Sequence, residues 1–157
     1  MDNWNEEEDN QRYLLFRLGE ELYGSPILGI REVVEPQEPK PIPNTVPYFL
    51  GVINIRGEIV GVIDLRIRFN HQVTRAQHNA MIVFETEAGP LAALVDKVEA
   101  VSQIADDAIE KKPNIKAAVE VEYLIGVSKG TERMATLIDL NRALSAEELR
   151  VIRSARV

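Results

Sequence analysis

The chain contains no cysteine. Disulfide staples and thiol catalysis are excluded, and His and carboxylates are left as the strong metal ligands. Such usage suits a reducing compartment, and a cytoplasmic location is expected. Histidine is nearly absent too, with only His71 and His78. They flank a polar stretch with no acid at HExxH spacing, so they read as surface histidines and no metal or other cofactor is expected. There is no GxSxG, no Walker loop and no GxGxxG, so nucleophile-elbow and phosphate-loop chemistry have no footing and no enzyme is expected. No uninterrupted apolar run approaches the ~20 residues that cross a bilayer. The opening "MDNWNEEEDN" has neither the basic nor the apolar region of a secretory signal. A soluble protein with no membrane insertion is the expectation.

What is present is acid at one end. Residues 1–10 carry five acids (Asp2, Glu6, Glu7, Glu8, Asp9) and no Lys or Arg, and the rest of the chain holds 20 acids against 18 bases. The net charge of −7 therefore belongs mainly to residues 1–11, which read as a disordered acidic tail. The nearly neutral body is a poor binder of phosphate backbones. With 157 residues the chain suffices for one domain, or for two small halves sharing a core.

Short strand patterns dominate. "YLLFRL" (13–18) is rich in large apolar residues, "GEEL" offers a turn, and "LYGSP" reads as a short strand stopped by Gly24 and Pro26. "ILGIREVVE" (27–35) predicts one helical turn leading into a strand. Pro36, Pro39, Pro41, Pro43 and Pro47 then fall within twelve residues. They fix φ and remove donors, so this is an extended loop held against the body, and its "PQEP" is a chance PxxP match. Two apolar strands follow around Arg56-Gly57-Glu58. "DLRIRFN" predicts a short helix N-capped by Asp64, and "HQVTRAQHN" a linker.

The second half repeats this order. "AMIVFET", "PLAALVD" and "KVEAVSQI" parallel the first three strands, and a loop containing Pro113 parallels the proline loop. Residues 48–65 and 123–140 align without gaps at an offset of 75, with six identities in 18, among them Tyr48/Tyr123, Gly51/Gly126 and Asp64/Asp139. An internal duplication explains the pattern. Each half offers about five strands, and closing them into a small barrel removes their free edges. The expected fold is mainly β: two small five-stranded barrels, 12–78 and 79–140, with short helices between strands. A helix over 141–157 follows, whose start is signalled by the capping-box spacing of Ser145 and Glu148. Asp64 and Asp139 stand at equivalent positions, and helix capping accounts for both without an acid–base pair. Arg66, Arg68 and Arg75 form a modest basic cluster, and a small β-barrel is also an oligonucleotide-binding architecture. Against that alternative, the strands lack interleaved exposed aromatics, the only tryptophan is Trp4 in the tail, and a solvated helix face explains Arg66 and Arg68.

"YLLFRLGEELYGSPILGIREVVE", the proline loop and "GVINIRGEIVGVIDLRIRF" together closely resemble the CheW-type coupling proteins of bacterial chemotaxis, from about residue 12 to 150. The "GVINIRG-IVGVIDLR" block carries most of the likeness. CheV proteins and the regulatory domain of CheA-type histidine kinases share the pattern, but no length remains here for a receiver or ATP-binding domain. The resemblance implies two SH3-like barrels and a non-enzymatic adaptor, monomeric when isolated. Its implied partners are the cytoplasmic signalling tip of a chemoreceptor and the regulatory domain of a CheA-type kinase, with no nucleic acid. The acidic tail is a departure, as is Gly61, where relatives often carry Pro. Carried over by position, Ile30, Glu32 and Val33 would wall a receptor groove between the barrels. Val95 and Val98 would face them, and Gly51, Arg56 and Gly57 would sit at its rim. Ile42, Val46 and Phe49 would form a kinase-binding face. The alternative for each aliphatic is ordinary core, and for Arg56 a solvated turn residue.

Overall fold

The structure is a computed structural model and describes residues 12–43, 46–69, 80–111, 123–129 and 134–155. The expected acidic tail, the linker with both histidines and Arg75, the Pro113 loop and Thr131 (the repeat counterpart of Arg56) lie outside these residues.

Eleven strands are described: β1 (Arg12–Leu18), β2 (Glu21–Pro26), β3 (Ile30–Val34), β4 (Phe49–Ile55), β5 (Glu58–Asp64), β6 (Ala80–Thr86), β7 (Gly89–Val95), β8 (Lys97–Gln103), β9 (Ile109–Lys111), β10 (Leu124–Ser128) and β11 (Ala135–Ile138). The helices are α1 (Leu65–Arg68) and α2 (Ala146–Ala155), with single 3-10 turns at Asp106–Ala108 and Leu140–Arg142. The expected mainly β fold is present. Gly24 does not stop the second strand, which runs on to Pro26.

The strands form a six-stranded sheet, β8-β1-β2-β11-β10-β9, and a five-stranded sheet, β3-β6-β7-β5-β4. The expectation of one barrel per half of the chain needs correction, because each sheet draws strands from both sides of residue 79. The short links rule out one arrangement, and β11 and β5 hold the remaining places beside β2 and β7. Three residues join β2 to β3, and Asp96 alone joins β7 to β8. A third strand lying beside β1 on the sheet of β2 would run parallel to β2, and parallel neighbours need a crossover of about a dozen residues or more. The chain therefore carries β3 onto β6, and β8 onto β1. The duplication survives as a matched order: β8, β1, β2, β11 and β10 correspond one by one to β3, β6, β7, β5 and β4. Even the parallel pairs match, β11 with β2 and β5 with β7.

The sixth place is filled differently in the two sheets. β9 fills it in one. In the other, Lys40 of the proline loop forms a two-way bridge to Val52, with its N–H donating at 2.8 Å and its carbonyl accepting at 2.9 Å. Antiparallel geometry turns the backbone of the flanking residues outward, and both are prolines, so Pro39 and Pro41 offer no N–H to a further strand. Gly51 and Gly126 make this packing possible. A Cβ on Gly51 would lie 2.0 Å from the Lys40 carbonyl oxygen, and one on Gly126 2.3 Å from that of Glu110.

Strand alternation divides the apolar residues among three clusters. Ile53, Ile55, Val60, Val62, Met81 and Val83 fill the five-stranded sheet's own interior. Tyr13, Leu22, Ile104, Ile109 and Leu137 do the same for the other sheet. A third cluster lies between the sheets, built from Leu14, Phe16 and Leu18 of β1, Ile82 and Phe84 of β6, Leu91, Ala93 and Val95 of β7, and Leu149 and Ile152 of α2. β6 and β7 are therefore apolar on both faces. The β4–β5 hairpin is covered on both faces only at its base, and Asn54 and Ile59 near its tip are exposed.

The capping expectations hold. The Arg66 N–H donates to Asp64 Oδ1 at 2.9 Å, and the Asn141 N–H to Asp139 Oδ1 at 3.1 Å. Ser145 and Glu148 bond reciprocally, each side chain accepting from the other's backbone N–H at 3.1 and 3.0 Å.

Candidate functional site

The β4–β5 hairpin closes through only two residues, Arg56 and Gly57, with Ile55 paired to Glu58. Both loop residues have positive φ, 49° and 87°. This is the primed-turn geometry that matches strand twist, and Asn-Gly is its usual sequence. The Asn54 carboxamide oxygen accepts from the Gly57 N–H at 2.8 Å. Arginine gains nothing from this backbone, since a left-handed conformation costs a residue with a Cβ about 1–2 kcal/mol. Its guanidinium has another use: Nη1 donates to Glu32 Oε1 at 3.0 Å, and Nη2 donates to Glu32 Oε2. The Arg56 fork holds the Glu32 carboxyl below the usual carboxylate range, and Glu32 in turn raises Arg56. One residue earlier on β3, Arg31 bridges Glu58 and Glu85. The side chain of Arg56 is 69% exposed, so its charge remains open to a partner.

Of the residues implied for the receptor groove, the structure brings Glu32 and Arg56 into contact and leaves Gly57 exposed beside them. Val33 is 43% exposed. Ile30 and Val98 are half-buried, both packed on the cluster between the sheets. Val95 must be corrected. It is fully buried in that cluster and offers nothing to a partner. Gly51 is buried as well, and its role is the close approach to Lys40. The implied kinase face is corrected in the same way: Phe49 is 5% exposed and belongs to the core, while Ile42 and Val46 are half-buried against it. A filled apolar seam thus occupies part of the space where an open groove was expected.

Arg66 also differs from its expectation. It is buried between α1 and the β7–β8 corner, 3.2 Å from Asp96 and 3.6 Å from Asp64, rather than on a solvated face. Arg68 lies under the two tyrosines of the repeat, its guanidinium carbon 5.6 Å from the Tyr48 ring centre and 5.3 Å from that of Tyr123. Cation–π packing of this kind ties α1 to both halves. Neither arginine presents the open basic surface that an oligonucleotide binder needs.

Tyr48 also donates its hydroxyl to Glu148 of α2. Burial, then the Glu148 carboxylate, push the Tyr48 hydroxyl well above its ordinary value. For Glu148 burial works to raise the carboxyl, but the bonds from Tyr48 and Ser145 and the charge of Arg68 outweigh it and hold the carboxyl below the usual range. A depressed carboxyl stabilises the fold above its unfolded pKa, and that stability is lost as pH falls through the folded value. Glu148→Gln is accordingly expected to cost about 1 kcal/mol at neutral pH, a gap that narrows in acid. Urea unfolding of both proteins at the two pH values checks this, and a gap independent of pH would remove the carboxylate from the account.

The sequence reading missed Arg31, Glu58 and Glu85, and apart from the resemblance it offered Arg56 only as a solvated turn residue. The signal for the turn was present, an X-Gly pair between paired strands with an unusual residue in the first position. The ion pairs had none, because they join residues 27 and 54 positions apart.

Fold and site together define a mainly β protein of two interleaved sheets with an exposed arginine pinned at a hairpin tip. Residues 12–148 match the CheW-like domain family. The chain is 34% identical over 143 residues to the chemotaxis protein CheW of Klebsiella aerogenes, covering 90% of this chain and 86% of that protein. It is 28% identical over 139 residues to CheW of Treponema pallidum, covering 85% and 82%. Among solved structures, the scaffolding protein TtCheW of Thermoanaerobacter tengcongensis superposes with a TM-score of 0.77 at 29% identity, covering 88% of this chain and 95% of that one. The chain belongs to the CheW-like domain family of chemotaxis scaffold proteins. Among the described residues no helix is long and apolar enough to cross a membrane.

Proposed function

We propose that this protein is a non-enzymatic adaptor in the cytoplasm, coupling the signalling tip of a methyl-accepting chemoreceptor to the regulatory domain of a CheA-type histidine kinase. The observation that carries the reading is Arg56, kept at a positive φ where the turn would prefer Asn or Gly, and aimed with both forks of its guanidinium. The backbone of the turn does not select arginine at that place; the fork, held by Glu32 and 69% exposed, suits recognition of a carboxylate or of backbone carbonyls. Glu32 pre-orients the fork, and Ile30, Val33, Gly57 and Val98 supply the neighbouring receptor surface. Ile42 and Val46 are assigned to the kinase contact.

Arg56→Glu is expected to leave the protein folded, because the pair it breaks is exposed and such pairs add little to stability. It should leave kinase binding unchanged and weaken receptor binding at least about tenfold, or 1.4 kcal/mol. Arg56→Lys should fall between, keeping the charge and losing the planar fork. A receptor-fragment titration of the three proteins at two salt concentrations tests this, with kinase-domain binding as the parallel control. Equal receptor affinity across all three would return Arg56 to the role of a solvated turn residue.

A further inference from the structure

A cavity of about 280 Å³ opens where the two halves of the repeat meet. Tyr23, Phe69, Tyr123, Leu124 and Thr136 line it, with Arg68 at one side. Three of its seven lining residues are aromatic. Phe16, Tyr23, Phe69 and Tyr123 form a continuous stack with ring-centre spacings of 5.9, 5.7 and 5.3 Å. Burial pushes the Tyr23 hydroxyl up to about 12, so this ring stays neutral. Arg68 brings a cation whose bonding is incomplete. Its Nε is buried without a hydrogen-bond acceptor among the described residues, and its ion pair with Glu148 is a loose 3.6 Å. An aromatic pocket with one under-satisfied guanidinium suits a flat apolar ring attached to acidic groups.

The chain carries one such ligand itself. Trp4 is its only tryptophan, and the first ten residues around it hold five acids and no Lys or Arg. Trp4 stands eight residues before Arg12, a reach of about 26 Å when extended. The Ile27 N–H donates to the Arg12 carbonyl at 3.0 Å, so Arg12 lies level with Ile27 on the β1–β2 ladder. Tyr23 is four residues back along β2, about 13 Å away. The tail is long enough to double back, and a tether of this length gives an effective concentration on the order of millimolar, so a weak contact suffices. We propose that the N-terminal segment docks on its own chain, with the Trp4 indole in the Tyr23–Phe69–Tyr123 cavity and the following acids toward Arg68.

The single tryptophan makes the proposal testable on the full-length protein by its own fluorescence. Trp4 emission should be shifted to the blue, and be less open to acrylamide quenching, than in a synthetic peptide of residues 1–11. Neither value should change on dilution. Thr136→Phe, which fills the cavity, should move the emission to that of the peptide. Because that variant places a new ring among packed ones, a second measurement uses Trp4→Ala, a change outside the described core. Its amide NMR spectrum should differ from the parent at Tyr23, Phe69, Leu124 and Thr136. Emission and quenching equal to the peptide's, or amide changes confined to residues before Arg12, would overturn the proposal. A blue shift that fades on dilution would overturn it as well, since a second copy would then be supplying the tryptophan.

Discussion

Gly51→Ala is expected to cost the protein about 3 kcal/mol or more, a large share of the roughly 5–15 kcal/mol that holds a domain folded. The added Cβ would sit 2.0 Å from the Lys40 carbonyl oxygen and 2.9 Å from the Pro41 Cα, at a φ of 141° that disfavours any side chain. Neither backbone atom yields cheaply. The Lys40 carbonyl accepts from the Val52 N–H, and Pro41 is rigid. Gly126→Ala should behave alike, with its Cβ 2.3 Å from the Glu110 carbonyl oxygen. Gly57→Ala is the control. It shares a positive φ of 87° but meets nothing within 4 Å, so only the backbone cost of about 1–2 kcal/mol applies. Urea midpoints at constant m-value rank the three variants. Equal losses at positions 51 and 57 would show that φ, and not the close approach to Lys40, sets the cost. The comparison also guards the functional reading, because a receptor-binding loss in a Gly51 variant would reflect unfolding.

Val95→Glu is expected to be equally severe. Val95 is fully buried in the cluster between the sheets, with Ile82, Phe84 and Leu91 in the same cluster. A carboxyl there stays neutral only if its pKa rises by roughly 3 units, which costs about 4 kcal/mol at about 1.4 kcal/mol per unit. Val98→Glu differs in kind, since Val98 is half-buried at the margin of the same cluster and a longer side chain there can reach water. It should keep the fold, with a loss of about 1 kcal/mol, while receptor binding falls. Thermal melts and receptor titrations of the pair separate the two positions. A Val95→Glu protein that melts with the parent, or a Val98→Glu protein that binds receptor normally, would reverse the assignment.

The strands, the duplication and both aspartate caps were legible in the sequence because each rests on short-range pattern. Period-two alternation marks strands whatever they pair with, and Asp64 and Asp139 cap helices through amides two residues away. The family was legible for a related reason, since the hairpin block is contiguous. The candidate site was legible in part. Arg56 and Glu32 were both singled out, but their contact was not, because it joins residues 24 positions apart. Val95 and Phe49 were assigned to open surfaces because an apolar residue reads the same whether a partner or a second sheet covers it. Arg66 failed in the opposite direction. A charge on a short helix reads as solvated, and its burial is offset by Asp64 and by Asp96 in the link between β7 and β8.

By itself, then, the sequence determined what is local: about five short strands in each half, two equivalent series of them, and their caps. The tertiary structure decided which strand joins which sheet, because β11 and β5, distant in sequence, take the places beside β2 and β7 and leave β3 and β8 to cross to the other sheet. It also decided which apolar residues are sealed between the sheets and which remain at the margin. Burial depends on what the chain brings opposite a residue, and no pattern along the chain records that.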